Sequence, residues 1–360
     1  MNTRFLAAAL GAACCAGAWA APPAHADVAF VSIRDGDPHI YLKEGNKAER
    51  QLTHGRTSNV EPAWSPDGSR LAFTSAREGL IKIFVMNADG SAQNRLTTDD
   101  RLESAPSWSP DGTALAFYSL GREAGSSEMR IVDLRSGRTT SIAGNGRDKG
   151  PAAPSWSDDG SRLAFTGLDA KGKVQVWVVE RDGSGLREIS HGFSPRDKAF
   201  AALSPDGTRV AYIADMRGGA DLIVTEIATL ESKNLSATGT ATKHENPQWS
   251  ADGRRLLFGS TRDDADLVRM DIFVMNADGT GMRNLTRHPH EDYDARWSTD
   301  GLGVLFTSLR TGTAQLHRVD LDGRRTERVS NNASHDMGHA PRPSSERPSG
   351  RVSLNRTEKP

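Results

Sequence analysis

Cysteine is almost missing from this sequence. Its two copies, Cys14 and Cys15, both lie near the start, which leaves no thiol nucleophile, thiolate metal site or disulfide for the rest of the chain. An excess of positive charge is missing too. Lys and Arg number 45 against 46 Asp and Glu, a formal net charge of −1, which excludes a binder that gains its affinity by neutralising phosphates. No apolar run is longer than Phe5–Ala21, and that one is built largely of Ala and Gly, short and weak for a membrane span. Aromatics make up only 6% of the chain. What is abundant is turn chemistry: 35 Gly and 17 Pro, spread along 360 residues, favour many short elements over long helices.

Residues 1–26 read as a signal peptide. Arg4 gives a short positive start, Phe5–Ala21 the apolar stretch, and Ala24-His25-Ala26 a small-x-small cleavage site. Gly11 and Ala12 stand three before Cys14 and Cys15, where a lipidation signal needs a Leu-like residue. The expected product is a periplasmic or secreted chain without an integral membrane segment.

The remainder is a repeat. Trp64-Ser-Pro-Asp-Gly68 returns as Trp108–Gly112, Trp156–Gly160, Leu203–Gly207, Trp249–Gly253 and Trp297–Gly301, with spacings of 44, 48, 47, 46 and 48 residues. Each Asp-Gly precedes an apolar run such as Leu71-Ala72-Phe73 or Leu256-Leu257-Phe258. A second run follows, as in Ile83–Met86 and Ile272–Met275, then Asn-Ala-Asp-Gly at 87–90 and 276–279, then a short strand ending Leu96-Thr97 or Leu285-Thr286. Asp-Gly between apolar strands signals a hairpin, because Gly accepts positive φ. Four short strands per 44–48 residues make an antiparallel sheet that cannot bury both faces alone, which is the signature of a β-propeller blade. The recurring Trp is expected to pack between blades.

Six full units begin near residues 61, 105, 153, 200, 246 and 294. Residues 27–55 hold a unit that lacks its first strand, and His339–Ser344 looks like a degraded copy of that strand. The sum is 28 strands: an all-β, seven-bladed propeller over 27–345 with an N/C-terminal seam, followed by a flexible tail at 346–360. A six-bladed ring is the alternative if the last copy is tail.

These motifs resemble the TolB-type propeller repeat, a relative of the WD-repeat blade found in exported bacterial proteins, and the resemblance spans nearly the whole chain after residue 26. It implies the propeller fold and a binding role toward a protein or envelope ligand. It does not extend to the α/β domain that precedes the propeller in TolB. The same blades also occur in lyases and in the gating domains of peptidases, so the fold alone does not name an activity.

Most catalytic patterns are absent. There is no Gly-x-Ser-x-Gly elbow, since Arg181 opens Arg181-Asp-Gly-Ser-Gly185. His244-Glu245 and His290-Glu291 lack the second His of a zinc helix. Gly167-x4-Gly172-Lys173 is followed by Val174 where a phosphate loop needs Ser or Thr. Seven of the ten histidines (54, 191, 244, 288, 290, 335 and 339) fall in connectors that lead to inner strands at one channel mouth. The resemblance to oligogalacturonate lyases implies a metal-dependent polysaccharide lyase or hydrolase as the alternative, with His244, His288, His290 and His339 as the ligands if a metal is bound. The same connectors carry Asn59, Glu61, Glu103, Glu245, Glu291, Asp292 and Asp294, with Lys198 as an exception. The favoured expectation is a non-catalytic monomer, without cofactor and without nucleic acid, that binds another periplasmic or envelope protein through Asn59, Glu61, Glu103, Glu245, Asp292 and Asp294.

Overall fold

Each repeat is organised by its Ser-x-Asp-Gly turn. Ser65 Oγ donates to Asp67 Oδ1 (2.5 Å) and accepts from the Arg70 amide (2.9 Å), while the Ser69 amide donates to Asp67 Oδ1 (3.0 Å). Gly68, at φ +66°, supplies the left-handed residue that the reversal requires. The Ser–Asp bond recurs at 109/111, 157/159, 204/206, 250/252 and 298/300. The Ser65 hydroxyl and the Ser69 amide hold the Asp67 carboxyl down to about 2, so the turn stays ionised at every ordinary pH.

The computed structural model describes residues 27–121, 127–144, 154–190, 196–216, 219–237 and 241–343. They form seven four-stranded antiparallel sheets in a ring, a seven-bladed propeller. Blade 1 is the seam: its inner strand, Asp336–Pro341, pairs with Val28–Asp35, followed outward by Asp37–Lys43 and Arg50–Gln51. The pairing Val28↔Pro341 and Ala29↔Ala340 excludes the six-bladed alternative. The strand begins at Asp336, three residues before the degraded copy read from sequence. The inner strands of blades 2 to 7 are Asn59–Trp64, Leu102–Trp108, Ser155–Trp156, Lys198–Leu203, His244–Trp249 and Asp292–Trp297.

The outer strands are shorter than the sequence suggests. Arg50–Gln51, Asn94–Arg95 and Arg283–Asn284 have two residues each and stop before the Leu-Thr pair. That pair caps the blade. The Ile40, Val176, Leu222, Ile272 and Leu316 amides donate to the hydroxyls of Thr53, Ser190, Ser236, Thr286 and Ser330 at 2.8–3.1 Å.

The core sits between blades. Ala29, Ile40, Leu42 and Leu52 of blade 1 pack with Trp64, Leu71, Phe73 and Phe84 of blade 2, and the pattern continues around the ring. Each repeat Trp then fastens its inner strand to the preceding one. The indole Nε1 of Trp64, Trp108, Trp156, Trp249 and Trp297 donates to the backbone oxygen of Ala340, Ala63, Ser107, Ala202 and Gln248 at 2.9–3.3 Å. Trp249→Ala should cost about 3–5 kcal/mol, because this indole is buried and stacked under Arg209 (4.6 Å). Trp156→Ala and Trp297→Ala should cost less, about 1–3 kcal/mol, since those rings are only half-buried. Urea midpoints of the three variants check the order; equal losses would contradict it.

Candidate functional site

Within each inner strand, position relative to the Trp decides what a side chain can do. The residue three before the Trp, or before Leu203 in blade 5, has a left-handed backbone: Glu61, Ala105, Phe200, Asn246 and Asp294 have φ between +48° and +58°, and the seam equivalent, Gly338, has +56°. A register shift against the second strand marks a β-bulge at each of these places. A bulge re-aims side chains, and here it divides the expected site residues into two groups.

Five residues before the Trp the side chain is buried inside the blade. Asn59, Glu103 and Asp292 are fully buried, as is Asp336 of the seam. Asn59 Oδ1 accepts from Arg77 (2.7 Å), and Asp292 and Asp336 pair with Arg310 (3.0 Å) and Arg34 (3.4 Å). Glu103 pairs instead with buried Lys82 (3.2 Å) and takes the Thr97 hydroxyl and the Ile83 amide. Burial pushes the Asp292 carboxyl up even against Arg310. Three of the six expected binding residues, Asn59, Glu103 and Asp292, are thus buried and bonded inside their blades and not at the channel surface, with Asp292 Oδ1 left without a hydrogen bond among the described residues. Their arginines were missed in the sequence, although a signal exists: Ser32-x-Arg34, Ser75-x-Arg77, Ser260-x-Arg262 and Ser308-x-Arg310 end the second strands. In three of the four, the arginine Nε donates back to that serine hydroxyl at 2.8–3.0 Å.

His244 occupies the same buried position in blade 6. It lies edge-on against Phe258 (5.6 Å between centroids), neither ring nitrogen has a hydrogen bond, and burial lowers its pKa to about 4. Arg262 opposite it is exposed, because a neutral imidazole gives it no carboxylate to meet.

The other three expected residues lie at the bulge. Glu61 is exposed, and its Oε2 accepts from Thr74 Oγ1 (2.6 Å) and from the Ala105 amide of blade 3 (2.8 Å). Asp294 pairs with Arg296 (3.1 Å) and lies 3.7 Å from Nδ1 of buried His339, whose pKa is depressed by burial. Glu245, one residue ahead of the bulge, is half-buried and makes no hydrogen bond or ion pair among the described residues. Burial, then the charges of Asp294 and Glu291, raise its pKa. Gly259 makes room for it, since a Cβ there would meet Glu245 Cγ at 2.9 Å; blade 2 has Thr74 at that place.

The four candidate metal ligands are used differently from one another. His288 and His290 lie 5.4 Å apart, with the His290 amide donating to His288 Nδ1 (3.2 Å), whereas His244 packs on Phe258 and His339 beside Asp294. Among the described residues, no three His, Asp or Glu side chains converge as a metal site. The Gly167–Val174 segment is a hairpin between paired strands, with the Asp169 amide donating to the Lys173 oxygen (2.8 Å).

The family model described as the TolB beta propeller domain matches residues 2–152 and 200–347. A TolB homolog from Chlorobium luteolum is 28% identical over 147 residues, 41% of this chain and 31% of the relative. The chain spans less than half the length of the curated relatives it matches. Among solved structures, TolB from Acinetobacter baumannii aligns with a TM-score of 0.53 at 21% identity, covering 72% of this chain and 63% of that one. An oligogalacturonate lyase in complex with manganese aligns at 0.63 and 19% identity, covering 82% and 86%. At these identities the structural likenesses establish the fold alone.

Proposed function

For a chain that belongs to the TolB beta propeller domain family, we propose a non-catalytic role: capture of a basic segment of an envelope protein at the connector mouth of the channel, by Glu61, Glu245 and Asp294. One observation carries the reading. Glu245 is a half-buried carboxylate with no cation bound to it among the described residues, and its neighbours Asp294 and Glu291 raise its pKa further. An unpaired carboxylate beside charges of its own sign costs stability unless something uses it, and an incoming Lys or Arg would relieve the repulsion. No helix among the described residues is long and apolar enough to cross a membrane. A periplasmic or secreted location, cleavage after residue 26 and the tail at 346–360 belong to the same proposal; both segments lie outside the described residues.

The test is crosslinked capture from the native envelope fraction, then surface plasmon resonance on the captured protein at two ionic strengths. Glu245→Gln with Asp294→Asn should slow association about tenfold at low salt, with a smaller difference at high salt. Unchanged association at both strengths would move the binding surface elsewhere. Stability should respond in the opposite sense. Because the folded pKa of Glu245 is raised, its cost is fully present above that pKa and disappears as the pH falls through it. Glu245→Gln alone should therefore raise the melting temperature by about a degree at pH 7 and leave it unchanged at pH 4. The lyase alternative needs His244, His288, His290 and His339 around one ion; a stoichiometric transition metal in the purified protein would favour it over the binding role.

A further inference from the structure

The opposite mouth of the channel, on the side of the Asp-Gly turns, holds a cavity of about 620 Å³ bordered by blades 4 to 7. An inter-blade clamp is broken at its wall. Arg70, Arg162 and Arg209, at the start of their second strands, each reach across to the Asp-Gly turn of the next blade and donate to the Gly112, Gly207 and Gly253 oxygens at 3.0–3.3 Å. Where the next blade has an indole, the guanidinium also covers it: Arg70 lies 4.8 Å from the Trp108 ring and Arg209 4.6 Å from that of Trp249. At Trp64 and Trp156, Arg342 and Arg181 do the same at 4.9 and 5.6 Å.

Arg255 holds this position in blade 6, and it does not clamp. Among the described residues its guanidinium makes no hydrogen bond or ion pair, and Trp297 is the one repeat indole with no guanidinium over it. Both side chains line the cavity instead, and both are half-buried. The inner strand also differs here. Gln248 and Arg296 stand directly before Trp249 and Trp297, where the other blades have the small Ala63, Ser107, Ser155, Ala202 and Ala340, and the Gln248 amide donates to the Ala295 oxygen (2.5 Å).

The geometry points to a binding site for a small monocarboxylate that carries a flat apolar group. A free guanidinium presents a planar fork of donors that matches a carboxylate in two parallel bonds, and the uncovered indole offers a face to the apolar part. The cavity has room for such a ligand, and the guanidinium and the indole face select it. Asp158 and Asp252 on the same wall set the charge limit. The Asp252 carboxylate is engaged in its own turn by Ser250 and the Arg254 amide, so it leaves Arg255 unpaired, yet its charge disfavours a second anionic group. The site is separate from the acidic connector mouth and does not rest on that reading.

The probes are phenylacetate, its neutral isostere phenylacetamide and the dianion phenylmalonate, titrated into the full chain by calorimetry with tryptophan fluorescence in parallel. Phenylacetate should saturate with a Kd of about 1 mM or tighter, and the other two should bind at least about tenfold more weakly. Arg255→Gln should weaken phenylacetate binding about tenfold or more with the melting temperature unchanged. Arg254→Gln, next to it but outside the cavity lining, should bind as the parent does. Equal binding of the amide or the dianion, retained binding by Arg255→Gln, or no saturation by phenylacetate would each overturn the assignment.

Discussion

A chain that ends at Ser330 should melt about 5–10 °C below the full-length protein and aggregate on heating. That truncation removes the inner strand Asp336–Pro341 and leaves Val28–Asp35 as an open edge inside the channel. It also removes the oxygen of Ala340 from the Trp64 indole (3.0 Å), the guanidinium of Arg342 from above that ring (4.9 Å), and Asp336 from Arg34. Each loss falls at the junction that converts an open array of blades into a ring. Truncation after Ser345 keeps all of these groups and should melt with the parent. Differential scanning calorimetry of the two truncated chains decides the matter: equal melting temperatures would mean that the seam contributes nothing to closure.

Lys82→Met should cost about 3–5 kcal/mol. Lys82 and Glu103 are both fully buried and pair at 3.2 Å, and Lys82 also meets Asp99 at 2.7 Å. Removing the ammonium leaves the Glu103 carboxylate in the interior with only the Thr97 hydroxyl and the Ile83 amide. The double variant Lys82→Met, Glu103→Leu should recover most of the loss, because an apolar pair no longer carries an uncompensated charge. Denaturant midpoints of the two variants provide the check. A small effect of Lys82→Met would mean that Glu103 is solvated, and would return it to the set of possible partner-binding groups. Asp99 adds a pH signature. Burial acts to raise its carboxyl, but the bonds from Lys82 and Arg130 prevail and hold it at about 2. Its contribution is present above the ordinary carboxylate range and is lost as the pH falls from about 4 toward 2.

The blade repeat, the strand order within a blade and the place of the turns were legible in the sequence, while seven blades against six waited on the seam pairing. They depend on local rules: Asp-Gly needs a left-handed residue, apolar runs of four to six residues need a sheet, and a sheet of four needs a neighbour. The Trp series was legible for the same reason, since a large side chain repeated at one register must fill the same gap each time. The Leu-Thr pair was seen but misplaced. Its hydroxyl turns back on the third strand, and a bond of that kind leaves no periodic trace.

The candidate site divided along the same line. That Asn59, Glu61, Glu103, Glu245, Asp292 and Asp294 cluster near the starts of the inner strands follows from their spacing to the Trp. Which of them face a partner does not. The bulge three residues before the Trp reverses the direction of side chains that are adjacent in sequence, so Asp292 meets Arg310 inside the blade while Asp294 lies beside Arg296 and His339. The free Arg255 was likewise invisible, because Arg70, Arg162, Arg209 and Arg255 hold one repeat position, two residues after the Asp-Gly and at the head of an apolar run, and nothing in that position tells which of them reaches the next blade. The sequence by itself determined a propeller of four-stranded blades, through short-range patterns repeated at a fixed period, and the pairing of Val28 with Pro341 decided seven blades over six. Only the tertiary structure decided which charges are paired and which are available, because pairing is settled across strands and blades by burial and by reach, and neither is written in the order of residues along one strand.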